Sequence, residues 1–426
     1  MQDEMIIGYD ISDTSCQISF YNQDLGEPET METSPQSYHI PMVIGKRNNT
    51  WAIGIDAKRL EILHEGKLTN ELLRRSMARE KIKLENKYYD AIMLLSRFVQ
   101  MSLDKFKNIK AIVFTVSVMN EDIAMVLKSV AAHLGIPKEH IYVQDYRESF
   151  CNYMLNQPKE LWQYEAALFY CDKTEVRASM LQHINTSIQY PYEFITVDDV
   201  AFAKKEEMDA IYPLIHGEKA READQRFKMF VEHVFDQRMV SSVYLTGEGF
   251  ENHWYPESLK VLCNGRRAFM GNNLYSKGAC YTAYQRVYEE KEKYIYIAED
   301  KLTESISIRI RKENTYELFP LVSWGSNPFE CNQQWEILLE DTEDIELYIE
   351  SIYKGKIDMR QISLDDIPER DSYSIRLLVE VMSIDSNTFR ISFKDTGFGD
   401  FYPSSGYETD ITIQLGGNYG EYHSMS

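Results

Sequence analysis

The sequence predicts an α/β module followed by an antiparallel β-sandwich. Two observations carry that expectation. Up to about residue 290, short apolar strands alternate with amphipathic stretches of helical period, the pattern of sheets covered by helices. From about residue 292 the apolar period becomes two, as in strands with one buried face.

In the first half, residues 5–9 and 17–21 read as strands around a polar turn. Residues 87–106 read as an amphipathic helix with Ile92, Leu95, Phe98 and Val99 on one side. A buried strand at 111–118 leads to a helix at 121–134, with Ile123, Val126, Leu127, Val130 and Leu134 at helical spacing. Gly135 and Pro137 end it, glycine as a C-cap and proline because it cannot continue a helix. A strand at 141–143, a helix at 148–155 and strands at 166–170 and 177–184 follow. A long helix at 218–239 carries Phe227, Phe230, Val231, Val234 and Phe235. A strand at 242–246 and a helix at 273–290 complete the module.

In the second half, Ile306, Ile308 and Ile310 alternate with Ser307 and Arg309, and Ile345, Leu347 and Ile349 alternate with Glu346 and Tyr348. Residues 375–381, 388–393 and 410–415 continue that rhythm between turns such as Lys354-Gly355 and Asp385-Ser386-Asn387. The charged run 289–293 reads as the linker, so the expected domains are 1–290 and 291–426. No internal repeat is legible.

The chain has 426 residues, of which 44% are hydrophobic and 27% charged, enough apolar material for two or three folding units. A net charge of −21 repels phosphate backbones and anionic lipid heads, which argues against nucleic-acid and membrane-surface partners. The six cysteines include no C-x-x-C pair and read as reduced, buried small hydrophobes rather than zinc ligands. The first residues, Met1-Gln2-Asp3-Glu4-Met5, offer no basic region before a long apolar one, and no apolar stretch is long enough to span a membrane. The expected location is cytoplasmic.

Three segments of the first half resemble one superfamily. Ile6-Ile7-Gly8-Tyr9-Asp10-Ile11-Ser12-Asp13-Thr14-Ser15 resembles the first phosphate loop of actin, DnaK (heat-shock-70) chaperones and sugar kinases, written I-I-G-I-D-L-G-T-T. Residues 111–155 resemble the stretch from I-T-V-P-A to I-I-N-E-P-T-A-A-A-L-A-Y-G-L, without a gap. Val243-Tyr244-Leu245-Thr246-Gly247-Glu248-Gly249-Phe250 resembles the adenosine motif, and Gly278-Ala279 lies on a helix that the superfamily packs closely on its neighbour. In the second half, residues 345–398 are similar to the DnaK substrate-binding β-sandwich over about fifty residues, including Ile384-Asp385-Ser386-Asn387 and Ile391-Ser392-Phe393-Lys394-Asp395.

The resemblance implies an actin-like ATPase fold of two ribonuclease-H-like lobes, followed by a β-sandwich that holds an extended peptide or protein segment. It implies that Asp10 helps hold Mg²⁺ and that Asp145 stands where the family carries its water-orienting Glu. Nucleotide contacts are implied for Asp10, Ser12, Asp13, Thr14 and Ser15, for Lys173 and Thr174, and for Gly247, Glu248 and Gly249.

The sequence also departs from the family. Ser12 replaces a glycine that permits close backbone approach, and Asp13 puts a negative charge beside the phosphates. The second loop, D-L-G-G-G-T in the family, has Tyr170 for its leading Asp and no glycine through Glu175. Tyr146 and Arg147 replace the Pro and Thr after the water-orienting residue. About seventy residues separate the second loop from Gly247, far fewer than in DnaK-type proteins, and the helical lid is expected to be lacking. These departures predict a non-catalytic DnaK-like module with little or no affinity for Mg-ATP, binding a protein or peptide through its sandwich. The competing expectations are an active Mg-ATP-dependent chaperone ATPase and an actin-like assembly protein, and the β-sandwich counts against the second of these.

Overall fold

The computed structural model describes residues 4–416 apart from 36, 64–65, 173–174, 187–188, 205–216, 289–292, 313–314, 341–343, 356, 365–366, 368–369 and 371–372. Its contacts divide the chain into two units, Met1–Gln182 with Val197–Lys291, and His183–Thr196 with Glu292–Ser426.

The first unit begins with β1 (Met5–Ile11), β2 (Ser15–Asn22) and β3 (Glu27–Thr30). Next come β4 (Ile40–Pro41), β5 (Ile44–Arg47), β6 (Thr50–Ile53), α1 (Gly54–Ile62), β7 (Lys67–Thr69) and α2 (Leu72–Met77). The hairpin of β8 (Lys81–Leu84) and β9 (Lys87–Asp90) leads into α3 (Ala91–Ser102). β10 (Ile109–Val116), α4 (Glu121–Ala132), β11 (Ile141–Asp145) and α5 (Tyr146–Leu155) follow. The remainder is β12 (Glu165–Cys171), β13 (Glu175–Ile184), β14 (Glu193–Lys204), α6 (Glu218–Val234), β15 (Val240–Thr246), α7 (Pro256–Leu262), β16 (Arg267–Met270) and α8 (Leu274–Tyr288).

Two sheets share one strand order. In the first, β11-β10-β1-β2-β3, the β1–β2 and β2–β3 pairs are antiparallel while β10 and β11 add in parallel beside β1. In the second, whose first five strands run β16-β15-β12-β13-β14 with a sixth strand beyond β14, β12 pairs antiparallel with β13 while β15 and β16 add in parallel. The topology is therefore duplicated where the sequence shows no repeat. A pleated sheet requires a spacing of apolar residues rather than particular ones, so the order survives loss of identity. The inner strands of both sheets are nearly closed to solvent, Ile112, Val113 and Phe114 in one and Ala167, Phe169 and Val243 in the other. The division into units passes through β13 and β14, whose ends at 183–184 and 193–196 belong with the second unit.

Several sequence expectations change. Residues 87–106 are not one helix. Lys87–Asp90 pairs with β8, and the helix starts only after Asp90, whose carboxylate accepts the Ile92 N–H at 2.9 Å. α5 starts at Tyr146 rather than 148 because Asp145 caps it, accepting the Glu148 N–H at 2.7 Å. β14 and α7 were not legible in the sequence: β14 alternates poorly, and α7 is short. Cys263 is exposed, whereas the other five cysteines are buried.

The second unit contains β17 (Tyr294–Tyr296), β18 (Glu304–Lys312), β19 (Thr315–Val322), β20 (Gln333–Leu339), β21 (Asp344–Ser351), β22 (Ile357–Ser363), β23 (Ile375–Ser383), β24 (Thr388–Asp395) and β25 (Glu408–Gln414). It forms two antiparallel four-stranded sheets, β19-β18-β21-β22 and β20-β23-β24-β25. Ile306, Ile308 and Leu347 of one share a buried cluster with Val379, Phe389, Ile391 and Phe393 of the other. Asp395 closes a loop beneath that cluster. It is fully buried, accepts from Arg370 at 3.0 Å, and also accepts the N–H groups of Gly397 and Ser405. A buried carboxylate needs such a full set of donors to offset its desolvation.

In the first unit α8 runs against both β1 and α5 at backbone distance. A Cβ on Gly8 would lie 2.1 Å from the Ser276 carbonyl oxygen, and one on Gly278 would lie 1.9 Å from the Ser149 carbonyl oxygen. Alanine is favoured over glycine inside a helix by about 1 kcal/mol. Here overpacking against fixed backbone outweighs that gain, at about 1–3 kcal/mol or more. Gly278→Ala is therefore expected to lower the urea midpoint or to prevent soluble folding. An unchanged or raised midpoint would contradict the close crossing.

Candidate functional site

The residues that the sequence singles out are brought together at the turns following β1, β11, β12 and β15. Most of their side chains, however, are engaged by neighbouring groups of the protein. The β1–β2 turn closes on Ser12. The Ser12 hydroxyl donates to the Ser15 carbonyl at 2.9 Å and accepts the N–H groups of Thr14 at 3.3 Å and Ser15 at 3.2 Å. Asp13 accepts the backbone N–H of Arg74 at 2.9 Å and so serves the first turn of α2. Ser15 pairs with His39 at 3.3 Å, and Thr14 presents its carbonyl to the Met42 N–H at 2.9 Å.

Asp145 lies at the end of β11 and is buried. One carboxylate oxygen accepts the Glu148 N–H and the other accepts Arg147 Nε at 3.0 Å. Both oxygens are thus committed to the cap and to a charge-assisted bond. Gly247 and Gly249 approach backbone closely, but the backbone is the protein's own. A Cβ on Gly247 would lie 2.2 Å from the Cys171 carbonyl oxygen, and one on Gly249 would lie 2.2 Å from Cys171 Sγ. Glu248, between them, is exposed. Lys173 and Thr174 lie outside the described residues.

The centre of the site is aromatic. The Tyr146 hydroxyl donates to Asp10 at 2.8 Å. Its ring stacks on Tyr275, with centroids 3.9 Å apart and planes 5° from parallel. Tyr170 donates to Asp172 at 3.0 Å, and Asp172 in turn accepts the Glu175 N–H at 3.0 Å. The Arg177 guanidinium lies 5.7 Å from the Tyr170 ring centroid and pairs with Glu175 and, at 3.7 Å, with Asp199. Burial first, then the nearby Asp10 carboxylate, holds the Tyr146 hydroxyl well above the usual phenol range. Burial does the same to Tyr275, with Tyr170 and Asp10 adding to it. These groups remain neutral hydroxyls throughout the physiological range.

Sequence reasoning marked Tyr146 and Tyr170 as departures from a pattern, but it missed Tyr275, Arg177 and Asp199. Tyr275 was readable only as a residue on the helix at 273–290, and its ring partner lies far away in the chain. Among the described residues, no three His, Cys, Asp or Glu side chains gather in a metal-holding group.

Residues 27–299, well over half of the chain, match the C-terminal part of a family of unknown function, DUF5716. The chain belongs to that family. Residues 301–415 match a second domain of unknown function, DUF8552. No curated protein matches the chain. Among the described residues no helix is long and apolar enough to cross a membrane.

Asp10 gives the site a measurable signature. Burial pushes its carboxyl from an ordinary 3.8 up to about 7, although the Tyr146 hydroxyl draws it back down. Between about pH 4 and 7 the folded protein then keeps a proton that the unfolded chain has lost. This group's contribution to stability falls as pH rises through that window and levels off above it. Asp10→Asn should remove that part of the pH slope in urea unfolding, and Tyr146→Phe should move the Asp10 titration upward. Equal slopes for wild type and Asp10→Asn would contradict the burial of an ionisable carboxyl here.

Proposed function

We propose that the chain is a non-catalytic DnaK-like module, a degenerate relative of actin-type ATPases, that serves as a scaffold for a protein or extended peptide. The observation that carries this reading is the Tyr146–Tyr275 stack with its hydroxyl on Asp10. In an ATPase of that type the position of Asp10 serves hydrated Mg²⁺, and the turns after β1 and β12 present N–H groups to phosphates. Here the carboxyl is covered by a phenol, and the first turn's N–H groups are taken by Ser12. Tyr170 occupies the place of the second loop's carboxylate, and Asp145 is bound to Arg147 and its own helix rather than held open for a water.

These residues do not fit Mg-ATP. Binding would require the stack to open and Ser12 to release two N–H donors, and Asp13 and Asp172 add negative charge to the same turns, while Glu175 is paired with Arg177. A unit charge opposed at ~4–6 Å with an effective dielectric of about 20 weakens binding by a few kcal/mol, a hundredfold or more. The duplicated sheet order supports the actin-like reading of the first unit, and the shared core of two antiparallel sheets supports the sandwich reading of the second. In that second unit β19, β20, β22 and β25 are sheet edges, whose main-chain groups are the usual means of holding an extended segment.

The test is calorimetric titration of the full chain with Mg-ATP, alongside steady-state phosphate release by wild type and Asp145→Ala. No saturable heat is expected, and release should stay at background for both proteins. Wild-type turnover above background that Asp145→Ala abolishes would overturn the reading.

A further inference from the structure

A second site lies beside α3, apart from the tyrosine-filled turns, where β5 pairs antiparallel with β6 and β7 in a small three-stranded sheet next to the β8–β9 hairpin. The β5–β6 hairpin, β9 and the start of α3 form a half-open pocket of about 240 Å³ lined by Lys46, Asn49, Trp51, Tyr89, Met93 and Arg97, with Leu94 behind. In a chain of net charge −21 this pocket presents two cations.

Lys46 is unusual in this setting. Only 8% of its side chain is exposed. An ammonium carries three N–H donors, and a buried one needs them matched. One is given to the Tyr89 hydroxyl at 2.7 Å. The nearest carboxylate, Glu85, stands 4.0 Å away, beyond hydrogen-bond length. Glu85 is also held back, because its other oxygen accepts the Asn48 N–H at 2.8 Å in a turn where Asn48 has a φ of 55°. The rings of Trp51 and Tyr89 lie 5.2 and 5.3 Å from the ammonium, a favourable but non-directional environment. Arg97 is exposed on α3 and has no ion-pair partner among the described residues. Met93, also exposed, and Trp51 supply an apolar wall.

We propose that this pocket binds one carboxylate carried on a small apolar body. Lys46 and Arg97 take the anion, and Trp51 and Met93 take the body. Charge favours a monoanion: Glu85, 4.0 Å from the ammonium, already offsets part of the charge of Lys46 and Arg97, which leaves the pair suited to one further negative charge rather than two. The volume, below the ~300–1,000 Å³ usual for drug-sized sites, suits a fragment no larger than an aromatic amino acid. A free organic acid and the C-terminal carboxylate of a peptide share this chemistry. The inference stands apart from the reading of the tyrosine-filled site.

The experiment titrates the full chain with 3-phenylpropionate, its amide and inorganic phosphate, following backbone amide shifts by NMR. A second arm uses a short peptide ending in phenylalanine, with a free or an amidated C-terminus. The acid is expected to move amides of residues 46–51 and 89–97 saturably, while the amide and phosphate do not. Arg97→Ala, an exposed change that should leave the fold intact, is expected to weaken the acid several-fold. Lys46→Met, checked for an intact melting transition, should weaken it by about tenfold, as for loss of a charge-assisted hydrogen bond from a buried ammonium. Binding of the free-ended peptide but not of the free acid would assign the site to a protein terminus, and the reverse would assign it to a metabolite. The proposal is overturned if neither carboxylate gives a saturable shift up to about 10 mM, above the millimolar Kd expected of such a fragment. It is also overturned if the amide or phosphate binds as well, or if Arg97→Ala changes nothing.

Discussion

The contact between α8 and its neighbours governs the first unit. Gly8 and Gly278 let a helix backbone lie directly on β1 and on α5, with no side chain between. That approach fixes the starts of α5 and α8 beside each other, since both helices begin just after the parallel strands of their sheets. Tyr146 is the first residue of α5 and Tyr275 the second of α8. Their rings are brought to stacking distance by the helix crossing itself. Once there, Tyr146 can reach Asp10 at the end of β1, and its hydroxyl covers part of the carboxyl. The closed tyrosine pair therefore follows from backbone packing some distance below it.

The same geometry explains why close approach and polar turns need not mean a nucleotide. Gly247 and Gly249 seat a turn directly on Cys171, where no Cβ would fit. Ser12 fills with its own hydroxyl the space in which backbone donors would otherwise point outward. Asp145 keeps a carboxylate at the end of β11 and applies it to helix capping. Each residue type is consistent with the resemblance, and each is engaged locally. In a buried polar cluster this is the economical arrangement, because an unmatched donor or acceptor is more destabilising than a matched one is stabilising.

Strands whose burial is two-sided were plain in the sequence, as at 111–118, and so were helices with a full apolar stripe, as at 121–134. The alternation of Ile306, Ile308 and Ile310 located the antiparallel half for the same reason. The β8–β9 hairpin was not legible, because Tyr88 and Tyr89 precede an apolar helix and merge with its pattern. Asp90 was the missed signal, a cap at the true start of α3. The tyrosine cluster was half legible. Tyr146 and Tyr170 stood out against a motif, while the stack needed the fold to bring Tyr275 across. The cavity at Lys46 gave no signal, since a lysine in a short strand reads as a solvated residue until the sheet, the hairpin and α3 close around it.

The most direct measurement is an experimental structure of the full chain grown with saturating Mg²⁺ and a non-hydrolysable ATP analogue. The expected result is an intact Tyr146–Tyr275 stack near its 3.9 Å spacing, Asp10 still bonded to Tyr146, and no triphosphate between the β1–β2 and β12–β13 turns. A triphosphate seated there on the N–H groups of Thr14 and Ser15, with both tyrosines displaced and a metal near Asp10, would contradict the proposal of a closed, non-catalytic site.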